Sequence, residues 1–387
     1  MELIFTILVA VSSLLCLSYF VLIASYCYAW IKTSPPTLSS LLLTTKVSVI
    51  IAVRNEENNI ERCINSILQQ NYPSQFMELI IVDDVSEDTT NAKIKTLFLN
   101  RENVKLITLT SHSENSGKKS ALKKGINQSI GELIVTTDAD CVMDTNWLTT
   151  LVRYYQQTQA KMIVAPVVFY NEKSIFEKMQ MLEFMSLIVC SGASLYYNKA
   201  IMCNGANLAY TRKVFDEVHG FEDINNKASG DDVLLMYKIK NKYSDGIKFL
   251  KHHEAMVFTN AKNNLKDFIS QRKRWSSKGF WALNAETKKV SLIVYLFNLS
   301  LFMLMLSLLI CAIYSNTINL SKIFFLLFGI KCLIDFLLLF LAASFFKKKV
   351  FTPYFLLEEF LYIVYVVFIG LLGLLQSKYE WKDRKTK

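Results

Sequence analysis

The chain has 387 residues, 52% of them apolar and 20% charged, which makes it too long for a small disulfide scaffold and too apolar for a disordered tail. Its formal net charge is +10, and Lys32, Lys46, Lys273, Lys288, Lys289 and Lys347–Lys349 all flank apolar stretches, the signature of a cytoplasmic membrane leaflet before that of a nucleic-acid partner. Eight cysteines without a CxxC pair suggest neither a zinc site nor a disulfide framework.

Residues 3–31 hold no charge and far exceed the roughly 20 residues that cross a bilayer, so a retained membrane helix is expected. A cleavable signal peptide fits less well, because its apolar core is about 7–15 residues and follows a basic start; here Glu2 is the early charge. The pattern then changes. Val47–Val53, Leu79–Val82, Val104–Leu109, Leu133–Thr136 and Met162–Val168 read as strands. Helical stretches around Asn59–Gln70, Thr89–Phe98, Lys118–Gln128 and Asn146–Gln156 alternate with them. Such alternation predicts an α/β fold, a mainly parallel Rossmann-like sheet with helices on both faces, whose ligands bind beyond the carboxyl ends of the strands.

Polar clusters fall at those ends: Arg54-Asn55-Glu56-Glu57, Asp83-Asp84-Val85-Ser86-Glu87-Asp88 and Thr137-Asp138-Ala139-Asp140. None is a glycine-rich phosphate loop, so a bound nucleotide needs its phosphates neutralised differently. Asp138 and Asp140 on one tight turn could hold a hard divalent ion that bridges diphosphate oxygens; the plainer reading is that Asp140 caps the following helix. Asp83 and Asp84 can accept a base N–H and orient a ribose, or can belong to a helix start capped by Ser86 or Asp88. Asp231 and Asp232 open another helical stretch, where carboxylates favour the helix dipole and where one could equally act as a general base. The NGAN run at 204–207 reads as a turn of small residues that also suits an acceptor channel. His219, His252 and His253 lack metal-site spacing and read as structural, and the Met and Phe excess of FEKMQMLEFMSLIVC as core or membrane contact.

After the cation-rich segment SQRKRWSSKGFW come three further spans, Val290–Tyr314, Ile323–Phe346 and Phe360–Leu375. Lys331 and Asp335, four apart inside the second, can neutralise each other, and Glu358 and Glu359 just precede the third. Lys278, Phe280 and Trp281 suit a membrane surface. The charge distribution places residues 32–288 in the cytosol; the basic tail 377–387 follows that rule only if the last apolar stretch does not cross.

VSVIIAVRNEENNI, IIVDDVSEDTT, VTTDADCVMDTNWL, CNGANLAYTR, ASGDDVLL and QRKRW, in that order between membrane spans, resemble the membrane-bound family 2 glycosyltransferases, the inverting GT-A group of the cellulose, chitin and hyaluronan synthases. The resemblance covers about residues 45–280, and no single motif carries it. It implies a membrane helix at 1–31, a GT-A domain at 45–285, a membrane region at 290–376 and the basic tail 377–387. It implies that Asp83 and Asp84 meet the uracil or ribose of a nucleotide sugar, a UDP-sugar in the first instance, with Lys118 of GKKSAL assisting. It implies Mg2+ or Mn2+ at Asp138 and Asp140, Asp232 as catalytic base with Asp231 where the family often has Glu, and Gln271, Arg274 and Trp275 over the diphosphate and acceptor. A single in-line displacement would invert the anomeric carbon. The expected partners are a nucleotide-sugar donor, a lipid-linked or polysaccharide acceptor and the membrane, here a bacterial cytoplasmic one, and no nucleic acid. Fewer spans than processive synthases have favours single transfer to a lipid-linked acceptor. The alternatives are a processive polysaccharide synthase, a membrane scaffold or transport subunit with an inactive nucleotide-binding domain, and a nucleotidyltransferase, whose basic glycine-rich loop RNEENN does not resemble.

Overall fold

A computed structural model describes residues 2–97, 101–110, 117–222, 230–276, 283–313, 318–349, 354–375, 380–381 and 384–385. They fall into a helical unit, drawn from 1–32, 173–193 and 262–379, and an α/β unit, drawn from 33–172, 194–261 and 380–387. The first helix, α1 (Glu2–Lys32), belongs to the helical unit.

The α/β unit begins with β1 (Val47–Val53), α2 (Ile60–Leu68), β2 (Met77–Asp83), α3 (Thr90–Leu97), β3 (Val104–Thr108), α4 (Lys118–Asn127) and β4 (Leu133–Asp138). There follow β5 (Val142–Met143), α5 (Trp147–Thr158), β6 (Met162–Val164) and β7 (Val167–Phe169). Beyond α6 (Ile175–Tyr196) come β8 (Leu208–Thr211), α7 (Arg212–Glu217), α8 (Asp231–Lys242), β9 (Ile247–Phe249) and β10 (Val257–Thr259). The main sheet runs β3-β2-β1-β4-β8-β6-β9, with β3, β2, β1 and β4 parallel and β8 antiparallel to both its neighbours. Every residue of β1 and β2 is buried, which is why both read as mostly apolar runs and not as alternating ones: helices cover both faces. On α2, Ile60, Cys63, Ile64 and Ile67 form the buried stripe at helical spacing.

Two polar residues interrupt that apolar interior, and they fix its register. Ser48 on β1 pairs with Glu78 on β2, and its hydroxyl donates to Glu78 Oε1 at 2.5 Å while accepting from the Gly131 amide at 2.8 Å. Glu78 also receives the Ile130 amide (2.6 Å) and the Lys105 ammonium (2.8 Å). A Cβ on Gly131 would stand 2.5 Å from the Ser48 amide nitrogen, so glycine is required for that approach. With the amino ends pinned, the carboxyl ends align Val53 with Asp83 and Ala52 with Asp138.

The expected strand over Met162–Val168 is two strands. Pro166 has no N–H to give to a sheet, and the chain leaves the main sheet there. β7 joins a second sheet, β5-β10-β7, through Val167 opposite Val257. Asn207 donates to the Pro166 and Ala255 carbonyls at 2.8 Å each, which satisfies the corner from inside.

The helical unit combines α1 and most of α6 with α9 (Leu265–Ser276), α10 (Ala285–Ile313), α11 (Ile318–Phe346) and α12 (Phe355–Leu375). Among the described residues five helices, α1, α6, α10, α11 and α12, are long and apolar enough to cross a membrane. Sequence alone presents α6 as core or membrane contact, not as a helix of that length. Gln180 on α6 clasps Lys262 through both its amide atoms (2.8 and 3.0 Å), fixing the chain ahead of α9. Lys331 does pair with Asp335, at 2.8 Å. Glu358 and Glu359, expected just outside the last span, lie inside α12 and are buried, with Glu359 also ion-paired to Lys331. The Tyr19 hydroxyl of α1 donates to Asp335 at 2.8 Å, so three helices share this ion cluster.

Burial alone would raise the Glu78 carboxyl, but the Ile130 N–H, Lys105 and Ser48 outweigh it and hold its pKa below the usual carboxylate value. The stabilisation is therefore complete above the unfolded value of about 4.3 and is lost as pH falls through the depressed folded one. Glu78→Gln should cost about 1–3 kcal/mol at pH 7, because donors built for a carboxylate lose it, and the gap to wild type should narrow in acid. Thermal unfolding in detergent at the two pH values measures both. In the helical unit Lys331→Met should cost about 3–5 kcal/mol by stranding two buried carboxylates, and neutralising Asp335 and Glu359 as well should recover most of it in the same assay.

Candidate active site

Two loops at the carboxyl edge of the sheet are laced into one platform. Arg54, at the end of β1, is buried and donates to the Asp84 carbonyl (3.0 Å), the Val85 carbonyl and Glu87 (2.6 Å). Asn55 accepts the Glu87 amide at 2.9 Å, and the Glu56 and Glu57 amides donate to Thr90 (2.8 Å) and Asp88 (3.2 Å). Asp88 Oδ1 also accepts the Thr90 amide at 3.0 Å, so Asp88 holds the first amide of α3 from two residues ahead. Val85 adopts φ 55, a left-handed conformation that a β-branched residue takes only under constraint, and Arg54 holds the carbonyls on either side of it.

Asp83 and Asp84 lie buried beneath this platform. Asp83 accepts the Ser86 amide and hydroxyl on one oxygen (3.1 and 2.5 Å) and the Asn91 side-chain amide on the other (2.7 Å). The Asp83 carboxylate therefore shapes the loop 83–90 from within, and Asp84 enters it through its carbonyl, which Arg54 holds. Arg54, the cation that organises the loop, carried no distinct sequence signal beyond its place after β1.

One strand away, α4, β4, α8 and the turn before β8 converge. Lys118, in the first turn of α4, is ion-paired with Asp138 at the end of β4. Asp232 Oδ2 accepts the Gly205 amide at 3.0 Å and Asp232 Oδ1 the Val233 amide at 2.8 Å, while Thr136 donates to the Gly205 carbonyl at 3.1 Å. A Cβ on Gly205 would lie 3.4 Å from Asp232 and 3.7 Å from Lys118 Nζ, so the NGAN turn brings bare backbone against both. Lys118, Asp231, Asp232, Gly205 and Thr137 line one recess. Burial would pull the Lys118 ammonium down, but Asp138, Asp231 and Asp232 outweigh it and hold its pKa above the usual lysine value. Burial, with Asp232 adding to it against the pull of Lys118, pushes the Asp231 carboxyl up.

Asp140 does not cap α5, because β5 intervenes and the N-cap position is Asn146, whose side chain makes no capping bond. The Cys141 amide donates to the Asp138 carbonyl at 3.1 Å, closing the tight turn that presents Asp138 and Asp140. Burial first, then the charges of Asp140 and Asp138, raise the thiol pKa of Cys63 beneath that turn. Among the described residues no three His, Cys, Asp or Glu side chains converge as a metal cage. The tight turn presents two carboxylates, Asp138 and Asp140, whose hard oxygens are of the kind a divalent ion accepts.

Gln271, Arg274 and Trp275 lie on α9 in the helical unit, each half-buried. Lys278, Phe280 and Trp281 lie outside the described residues, as does most of the tail 377–387. The buried member of QRKRW is Arg272, to which the motif pattern gives no role.

A parallel-rich sheet whose carboxyl edge collects acids around one lysine, with no glycine-rich phosphate loop, defines a ligand edge for a charged, phosphate-bearing substrate. Residues 48–219 match the Glycosyl transferase family 2 model. Poly-beta-1,6-N-acetyl-D-glucosamine synthase of Staphylococcus epidermidis is 25% identical over 297 residues, 73% of this chain and 69% of that one. Glycosyltransferase AglE of Haloferax volcanii is 34% identical over 102 residues, 26% of this chain and 33% of its own. In fold, the mannosyltransferase PcManGT from Pyrobaculum calidifontis, solved with GDP-Man and Mn2+, superposes with a TM-score of 0.57 at 17% identity, covering 95% of this chain and 99% of that one. Residues 48–219 form a Glycosyl transferase family 2 domain of GT-A fold, and the chain is a glycosyltransferase with membrane-length apolar helices among its described residues.

Arg54→Ala should release the strained turn at Val85. Hydrogen exchange at residues 83–90 should accelerate at least tenfold, with the strands behind unchanged, and nucleotide-sugar affinity should fall.

Proposed function

We propose that the protein transfers a sugar, with inversion, from a UDP-sugar to a membrane-associated acceptor, lipid-linked or polysaccharide, at the cytosolic face of a bacterial cytoplasmic membrane. The observation that carries this is the convergence of Lys118, Asp138, Asp231, Asp232 and Gly205 at the carboxyl edge of the sheet. The name of the Staphylococcus relative makes UDP-N-acetylglucosamine the first donor to test.

Asp232 is the base in this reading. The Gly205 and Val233 amides fix both its oxygens, so its orientation is set before an acceptor arrives. It takes the acceptor hydroxyl proton as that oxygen bonds to the anomeric carbon and the bond from that carbon to the diphosphate oxygen breaks; the electron pair leaves on UDP. Lys118 exchanges part of its hold on Asp138 for the developing phosphate charge, and Asp231 beside it keeps the ammonium in place. Mg2+ or Mn2+ held by Asp138 and Asp140 would neutralise the diphosphate. Asp83 and Asp84 support the loop for the uracil and ribose, and Gln271, Arg274 and Trp275 serve the diphosphate and acceptor. One displacement needs no second carboxylate as nucleophile, unlike a retaining enzyme. With α6 counted, five helices among the described residues are long enough to span, which favours single transfer over processive synthesis less than four would.

Membranes bearing the full chain should turn over at least one of UDP-GlcNAc, UDP-Glc, UDP-Gal and GDP-Man with Mg2+ or Mn2+, into lipid-extractable or polymeric product, and EDTA should stop it. Asp232→Asn should lower the rate about 10²–10⁴-fold with the protein still in the membrane. Turnover by that variant at the wild-type rate, or none by the wild type with any donor, would sink the reading.

A further inference from the structure

Within QRKRW the residue without an assigned task is the most tightly held. Arg272 is fully buried, and its guanidinium is ion-paired at 2.6 Å with Glu183 of α6, itself nearly buried. The Tyr365 hydroxyl of α12 donates to the other Glu183 oxygen at 2.8 Å, so the carboxylate joins three helices. The same guanidinium lies 4.1 Å from the Trp275 ring and 4.7 Å from the Phe268 ring, and donates to Gln271 Oε1 at 3.3 Å. Phe268, Arg272 and Trp275 share one face of α9 at i, i+4 and i+7. Trp275 also stacks on Phe184, the neighbour of Glu183, with centroids 6.0 Å apart.

We propose that Arg272, anchored by Glu183 and Tyr365, is a positioning residue for transfer: it sets the Trp275 indole and the Gln271 amide to which the reaction reading gives substrate roles. The inference rests on that reading. Arginine is required for its shape as well as its charge, since a planar guanidinium can stack on an indole while bonding a carboxylate and an ammonium cannot do both in this plane. A site that fixes an aromatic ring to a fraction of an ångström gains from the rigidity, because a misplacement of about 1 Å can cost roughly 10²-fold in rate. Arg272 Nε is buried without an acceptor among the described residues. A pair serving stability alone would be replaceable by apolar groups, as buried ion pairs generally are.

The test labels the full chain with 5-fluorotryptophan and assigns the Trp275 fluorine resonance by its loss in Trp275→Phe. Two variants are compared with wild type: the single change Arg272→Lys, and the double change Glu183→Gln with Arg272→Met, which leaves no lone buried charge. Expected are a shifted or broadened Trp275 resonance with the other tryptophans unchanged, and at least tenfold slower transfer from UDP-N-acetylglucosamine or whichever donor of the panel turns over. An unmoved Trp275 resonance in both variants overturns the inference, whether or not a donor is found. So does transfer at the wild-type rate by the double variant. Wild-type transfer by Trp275→Ala would instead overturn the role given to Trp275, which the resonance does not address.

Discussion

The α/β unit is organised around a shortage of positive charge. At the carboxyl edge of the sheet, Asp138, Asp231 and Asp232 act on the ammonium of Lys118, with Lys119 also near enough to act on Asp231, while Arg54 is committed to the neighbouring loop. Like charges this close raise one another's free energy unless a cation stands among them. Such an edge suits a ligand that brings a cation with it better than an apolar one. The rest of the unit serves this edge. Ser48, Glu78 and Gly131 pin the other end of the strands, so a one-residue slip that would scatter the acids is excluded by a buried hydrogen-bond network.

The sheet was legible because its central strands are buried on both faces and therefore spell nearly continuous apolar runs, VSVIIAV above all. The acids were legible because strand ends in such sheets are where ligands bind. What sequence could not supply was partnership. Met162–Val168 looks like one strand until Pro166 is seen to hand its second half to another sheet. Helix α6 is apolar around most of its circumference and carries Glu183 in its middle, so neither a helical stripe nor a clean membrane span stood out, and the acid made sense only once Arg272 was opposite it. The same holds for Arg272 itself, which in QRKRW reads as one more surface cation. Side-chain partners contributed by remote helices leave no mark in local periodicity.

The helical unit uses charge differently from the α/β unit. Its buried cations are paired, Arg272 with Glu183 and Lys331 with both Asp335 and Glu359, and aromatic rings border them: Phe268 and Trp275 for one, Tyr362 for the other. Paired ions in an apolar surround add little net stability but penalise every arrangement that separates them. They therefore specify which helices pack together where apolar surfaces alone would tolerate sliding, and α9 inherits its orientation from that specificity.

Lys331 has a consequence for biosynthesis. Its full burial is tolerable because Asp335 lies one turn away on its own helix and Glu359 on the next. A nascent α11 entering lipid alone would carry the lysine with half of its compensation, and α12 alone would carry Glu358 and Glu359 with none. The energetics favour the two helices leaving the insertion machinery as a hairpin, with the ion cluster closed before lipid surrounds it.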